Sequence, residues 1–183
     1  MNIDAAGLVD EALYIASPNC DARPPGAAIE LLVIHNISLP PGVFGGAAVA
    51  DLFMNRLDPA AHPYFEAIAA LRVSTHFFVR RDGALLQFVP CTLRAWHAGQ
   101  SSWCGRECCN DYSVGIELEG TDDVVFSDAQ YDRLIALARA LSAHYPVTAS
   151  VGHSDIAPGR KTDPGPYFDW ERYRAGVQLP ISR

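Results

Sequence analysis

Seven consecutive residues, Ile29-Glu30-Leu31-Leu32-Val33-Ile34-His35, are apolar on both parities apart from Glu30 and the terminal histidine. A strand solvated on one face would alternate, so a near-continuous run predicts a strand buried on both faces. Such a strand needs cover on both sides, which excludes an open one-faced sheet around it. The run is entered from Arg23-Pro24-Pro25-Gly26 and stopped by Pro40-Pro41-Gly42, which cannot continue a ladder. Residues 75–81 and 84–89 are β-prone and flank Asp82-Gly83, a strong hairpin signal, and another strand is expected over 112–119. The clearest helix runs from 128 to about 145. Ser127 and Gln130 form an S-x-x-Q capping box, Pro146 ends the helix, and Tyr131, Leu134, Ile135, Ala138, Leu141 and Tyr145 share one face. Shorter helices are expected over 47–57, 64–71 and 169–177. Residues 151–168 carry three prolines and three glycines and read as an ordered loop without a helix. Together these elements predict an α/β (α+β) fold, a central mixed β-sheet flanked by helices, with residues 1–183 as a single domain.

Charge and composition then exclude several function classes. The net charge of −7 opposes a surface built for nucleic acid or anionic lipid, which needs clustered Lys and Arg. No apolar run approaches the roughly 18 residues of a membrane span. The start, Met1-Asn2-Ile3-Asp4, lacks a basic region followed by an apolar core, so no secretory signal and a cytoplasmic location are expected. The five cysteines are an odd number and two are adjacent, so free thiols are expected rather than disulfides. Cys104-x3-Cys108-Cys109 lacks the paired spacing of a structural zinc site.

Polar residues at the ends of buried strands are candidates for chemistry. His35 ends the most apolar strand, and His153-x9-Asp163 supplies a second imidazole and a carboxylate. Two histidines and one carboxylate are a common protein ligand set for catalytic Zn²⁺, leaving the fourth tetrahedral position for water. Lys161 lies two residues before Asp163, so in an extended segment both would face one cavity, and an ammonium there can steady an oxyanion. Glu117 and Glu119 share one face of an apolar strand. Either can serve as a base, although Glu119 lies nearer the strand end where a charge is cheap to solvate. On spacing alone, a core histidine and a loop salt bridge are the leading account of the same residues.

Longer words narrow the choice. Val33-Ile34-His35-Asn36-Ile37-Ser38-Leu39-Pro40-Pro41-Gly42, Gly105-Arg106-Glu107-x-Cys109-Asn110-Asp111 and Gly115-Ile116-Glu117-Leu118-Glu119-Gly120 are three of them. The fourth is Gly152-His153-x-Asp155-Ile156-Ala157-Pro158-x-Arg160-Lys161-Thr162-Asp163-Pro164-Gly165-Pro166. In this order the four words closely resemble the AmpD family, the cytosolic 1,6-anhydro-N-acetylmuramyl-L-alanine amidases of bacterial cell-wall recycling. The resemblance runs from about residue 14 to 175. It implies a zinc amidase fold shared with phage lysozyme-type amidases and peptidoglycan recognition proteins. It further implies one Zn²⁺ held by His35, His153 and Asp163, with Glu117 as acid/base and Lys161 on the oxyanion. In the phage and recognition-protein branches the third ligand is usually cysteine and the glutamate position tyrosine, so Asp163 and Glu117 favour the recycling branch.

The substrate so implied is an anhydro-muropeptide, and a monomer without nucleic-acid or membrane partners is expected. The family words extend to Asn36, Arg72, Trp96, His97 and Arg106 as substrate contacts. Arginines suit peptide carboxylates and an indole face suits a sugar ring. For His97 the choice lies between a sugar contact and a donor behind the metal ligands. Cys104 and Cys108 depart from the family words.

Overall fold

The computed structural model describes residues 1–177. In chain order the elements are β1 (Leu13–Tyr14), β2 (Cys20–Ala22), β3 (Leu31–Ile37), α1 (Ala48–Phe53), α2 (Pro63–Ile68), β4 (Phe77–Val79), β5 (Leu85–Gln87) and β6 (Leu93–Ala95). They continue with β7 (Ser102–Trp103), β8 (Arg106–Glu107), β9 (Ser113–Glu119), α3 (Asp128–His144), β10 (Ala149–Gly152), α4 (His153–Ile156) and α5 (Trp170–Val177). Six strands form the central sheet in the order β1-β5-β4-β9-β3-β10. Its pairs are parallel except β4–β5, the hairpin that turns at Asp82-Gly83. The fold is therefore the mixed, helix-flanked sheet that the sequence predicts.

The apolar run is buried for the physical reason its pattern suggested. Leu32 and Ile34 of β3 pack on one face with Val114, Ile116 and Leu118 of β9 and with Leu134, Leu137 and Leu141 of α3. Leu31 and Val33 point the other way, against Tyr112, Ala149, Val151 and Ile156. Each leucine so enclosed contributes about 1.5–3 kcal/mol of transfer free energy. His35 continues the parity of Leu31 and Val33, so its imidazole emerges on the face away from α3.

The capping box of α3 forms in full. Gln130 N–H donates to Ser127 Oγ at 3.2 Å and Ser127 N–H donates to Gln130 Oε1 at 3.1 Å. Gln130 Nε2 also donates to the carbonyls of Val79 and Glu119, tying the helix start to β4 and β9. Elsewhere the helices are shorter than expected. Residues 47–57 are helical only over Ala48–Phe53, because Asn55 turns left-handed at φ 57°. Residues 64–71 give Pro63–Ile68, with Tyr64 N–H donating to the His62 ring at the N-terminus. Residues 151–168, expected to lack helix, contain the end of β10 and the single turn α4. There Gly152 N–H donates to Asp155 Oδ2 at 2.7 Å, a local bond that holds the turn despite the flanking Gly and Pro. Among the described residues no helix is long and apolar enough to cross a membrane, and all five cysteines are free thiols.

Candidate metal centre

Parallel pairing brings the candidate ligands level. Gly152 of β10 lies opposite Ile34 of β3, so the next residue on each strand, His153 and His35, emerges at the same height. Asp163 reaches them on the following loop, which Ser154 N–H fastens by donating to the Asp163 carbonyl at 2.9 Å. His35 Nδ1 and His153 Nδ1 stand 2.9 Å apart, and each is 3.1 Å from Asp163 Oδ2. Both imidazoles are buried and the carboxylate is mostly so.

Electrostatics keep His35 and Asp163 in the protonation states a cation requires. Burial holds the His35 imidazole down at about 4, so the ring is neutral at physiological pH. Burial works against the charge on Asp163, but its close contacts with the His153 and His35 rings outweigh it and keep its carboxyl well below the usual range. Nitrogen ligands about 2.0–2.1 Å from a tetrahedral Zn²⁺ would sit about 3.3 Å apart, close to the spacing of these donors. Two ring nitrogens 2.9 Å apart cannot both present bare lone pairs unless a cation or proton lies between them. Both the donor set and its spacing fit zinc. Among the described residues this is the His/Cys/Asp/Glu grouping with metal-binding geometry.

Glu117 is the β9 residue paired with His35. It lines a cleft of about 500 Å³ that also takes in Asn36, Trp96, Lys161 and Asp163. Its Oε2 is shut off from solvent with no hydrogen-bond partner. Burial, reinforced by the negative charge of Asp163 and opposed by Lys161, pushes its pKa well above the ordinary glutamate value. Glu119, left open by strand parity, has a different task. Its carboxylate accepts from Gly45 N–H and Arg81 N–H and ties two loops to the sheet.

The remaining expected residues are scattered in role. Lys161 is exposed at the cleft wall and Trp96 is half-buried there. Asn36 lines the cleft, but its Nδ2 is already donating to Asp122 Oδ1 and Pro164 O, which steadies the loop carrying Asp163. Arg72 is exposed between Leu71 and Val73, two lining residues, and bonds only to the carbonyls of residues 69–71. His97 reaches the cleft, yet both ring nitrogens are taken by the protein, His35 Nε2 at 2.9 Å and Ser113 Oγ at 3.1 Å. Of its two expected roles, the geometry favours the one behind the ligands. Arg106 lies elsewhere. It pairs with Glu30 Oε2 at 2.7 Å and stacks 3.8 Å over Tyr112, beside the start of β3 and outside the cleft. The ion pair with Glu30 could not be foreseen from the chain order. Sequence reasoning also missed the apolar wall that α2 and the turn after it supply through Tyr64, Ile68 and Leu71.

Residues 25–166 match the family model described as N-acetylmuramoyl-L-alanine amidase. The chain belongs to that family. It is thus an amide-bond hydrolase, and its likeness to known members extends over nearly its whole length. It is 57% identical over 173 residues to the 1,6-anhydro-N-acetylmuramyl-L-alanine amidase AmpD of Escherichia coli (strain K12), covering 93% of this chain and 94% of that protein. It is 50% identical over 175 residues to AmpD of Haemophilus influenzae, covering 94% and 95%. A crystal structure of a selenomethionine AmpD derivative superposes with a TM-score of 0.94 at 55% identity, covering 97% of this chain and 99% of that one. Escherichia coli AmiD, solved with anhydro-N-acetylmuramic acid-L-Ala-D-gamma-Glu-L-Lys, matches at a TM-score of 0.60 and 31% identity. That match covers 88% of this chain and 62% of AmiD.

Proposed function

We propose that this chain is a zinc-dependent amidase that hydrolyses the bond between anhydro-N-acetylmuramic acid and the L-alanine of the stem peptide, in cytosolic recycling of cell-wall fragments. The observation that carries the reading is the convergence of His35, His153 and Asp163 beside a half-buried Glu117 whose Oε2 has no hydrogen-bond partner. The names of the AmpD relatives and the ligand bound to AmiD support the choice of substrate. Residues 1–183 act as one amidase domain and as a monomer, with the muropeptide as small-molecule partner and no nucleic acid or membrane.

His35, His153 and Asp163 would hold the ion, and Zn²⁺ bound there would supply Lewis acidity to the scissile carbonyl and to the attacking water. Glu117, with its raised pKa, accepts a proton from that water and returns it to the leaving alanine nitrogen as the C–N bond breaks. The Lys161 ammonium donates to the oxygen that gains charge during attack. Trp96 offers its ring to the sugar, Asn36 lines the lactyl side, and Arg72 at the rim pairs with a stem-peptide carboxylate. Tyr64, Ile68 and Leu71 give the same cleft an apolar wall.

Mass spectrometry of products from a synthetic anhydro-muramyl tripeptide tests this. The expected products are free anhydro-N-acetylmuramic acid and a peptide with a free alanine amine. A chelator stops their formation and added zinc restores it. Cleavage at another bond, or an undiminished rate after chelation, refutes the proposal.

A further inference from the structure

A neutral imidazole offers a lone pair from one nitrogen only, and the partner of the other nitrogen decides which. For His153 the partner is a backbone carbonyl. Its Nε2 lies 3.2 Å from Ala98 O, which can only accept, so Nε2 carries the proton and Nδ1 is bare. His35 has no such carbonyl. Its Nε2 lies 2.9 Å from Nδ1 of His97, a second imidazole able to take either part.

The ambiguity is removed two side chains further back. His97 Nε2 lies 3.1 Å from Ser113 Oγ, and Ser113 Oγ lies 2.6 Å from the Cys109 carbonyl. The carbonyl accepts the hydroxyl proton, so Ser113 Oγ accepts in turn from His97 Nε2–H. That leaves the lone pair of His97 on Nδ1, which accepts from His35 Nε2–H. His35 Nδ1 is then bare, facing His153 and Asp163.

We propose that His97 is a positioning residue for the metal: through Ser113 and the Cys109 carbonyl it fixes His35 as the tautomer whose Nδ1 is free to bind zinc. The inference rests on the zinc reading above. Two further observations show that this support is built into the fold. A Cβ at Gly115 would lie 2.5 Å from His97 Cγ, so β9 carries a glycine where the ring packs. Ser113, Gly115 and Glu117 alternate along one face of that strand, anchoring the ring, admitting it and presenting the base. The backbone is also clamped, because the N–H groups of His97 and Ala98 both donate to Asn110 Oδ1, at 3.2 and 2.9 Å. One short segment thus sets both imidazoles, by the His97 ring and by the Ala98 carbonyl.

His97→Phe fills the space with an aromatic ring but removes the acceptor, whereas His97→Asn keeps an acceptor near the position of Nδ1. Zinc alone is the probe, competed against a chromogenic chelator. The dissociation constant rises about 10- to 100-fold in H97F, the scale of losing an outer partner of a metal ligand, and about threefold or less in H97N. Nitrogen-15 NMR of the zinc-loaded wild type places protons on Nε2 of both His35 and His97. H97F binding zinc as tightly as wild type overturns the inference alone, while a wild type that takes up no zinc overturns the metal reading with it. If H97F fails to fold, the wild-type spectrum decides: a proton on His97 Nδ1, with Nε2 bare, contradicts the relay.

Discussion

Glu117→Gln lowers turnover about 100- to 10,000-fold, the range for losing a positioned acid/base, while zinc stays bound at one ion per chain. Glutamine keeps the shape of the side chain on β9 but cannot take a proton from water. A second signature follows from the unpartnered Oε2. In the zinc-free protein the Glu117 carboxyl keeps its proton to a higher pH than an unfolded glutamate, whose pKa is about 4.3. The folded state therefore binds more protons than the unfolded one between those two values. The stability this group allows is full at pH below about 4 and is lost as pH rises through the folded pKa. Zinc-free E117Q escapes that loss, so it is more stable than zinc-free wild type at pH 8, and the difference closes near pH 4. Denaturant midpoints of the chelated proteins at the two pH values, with zinc content and turnover of the loaded ones, check both signatures. A variant with near-normal turnover removes Glu117 from the reaction.

Asp163→Ala abolishes both metal binding and activity. Asp163 Oδ2 is the anionic member of the cluster, 3.1 Å from each imidazole nitrogen. Without it two neutral rings face each other with no charge to offset the cation, and zinc affinity falls by more than the about 100-fold that follows loss of an outer partner. The fold survives, because the loop is fastened through the backbone carbonyl of residue 163 and through Asn36 rather than through the lost carboxylate. Thermal unfolding separates the cases. At free zinc 100-fold above its dissociation constant the wild type gains about 2.7 kcal/mol, and D163A gains none at the same concentration. Equal zinc-induced stabilisation of the two proteins would remove Asp163 from the ligand set.

Much of this was legible in the chain because the decisive signals are local or periodic. The run ending at His35, the Asp82-Gly83 hairpin and the Ser127–Gln130 box each carry their own physics within a few residues. The candidate trio of His35, His153 and Asp163 was legible as residue types and through the family words, although the distance between its two histidines depends on register between β3 and β10. What stayed hidden is long-range. Two-residue strands such as β1, β7 and β8 are too short for a period. The turn α4 depends on a single aspartate side chain reaching back to Gly152. Arg106 pairs with Glu30, 76 positions earlier, and stacks on the Tyr112 ring, a contact that chain order does not show. The place of His97 follows from Ser113 and Gly115 on a neighbouring strand, and neither residue announces that role in sequence. Alternation places Glu117 and Glu119 on one face, and the loops that Glu119 fastens are visible only in three dimensions.

The most direct measurement is anomalous X-ray scattering at the zinc absorption edge from crystals of the protein loaded with one equivalent of zinc. The account predicts one strong peak about 2.0–2.1 Å from His35 Nδ1, His153 Nδ1 and a carboxylate oxygen of Asp163. A peak at the Cys104 and Cys108 thiols, or none between the two imidazoles, would contradict it.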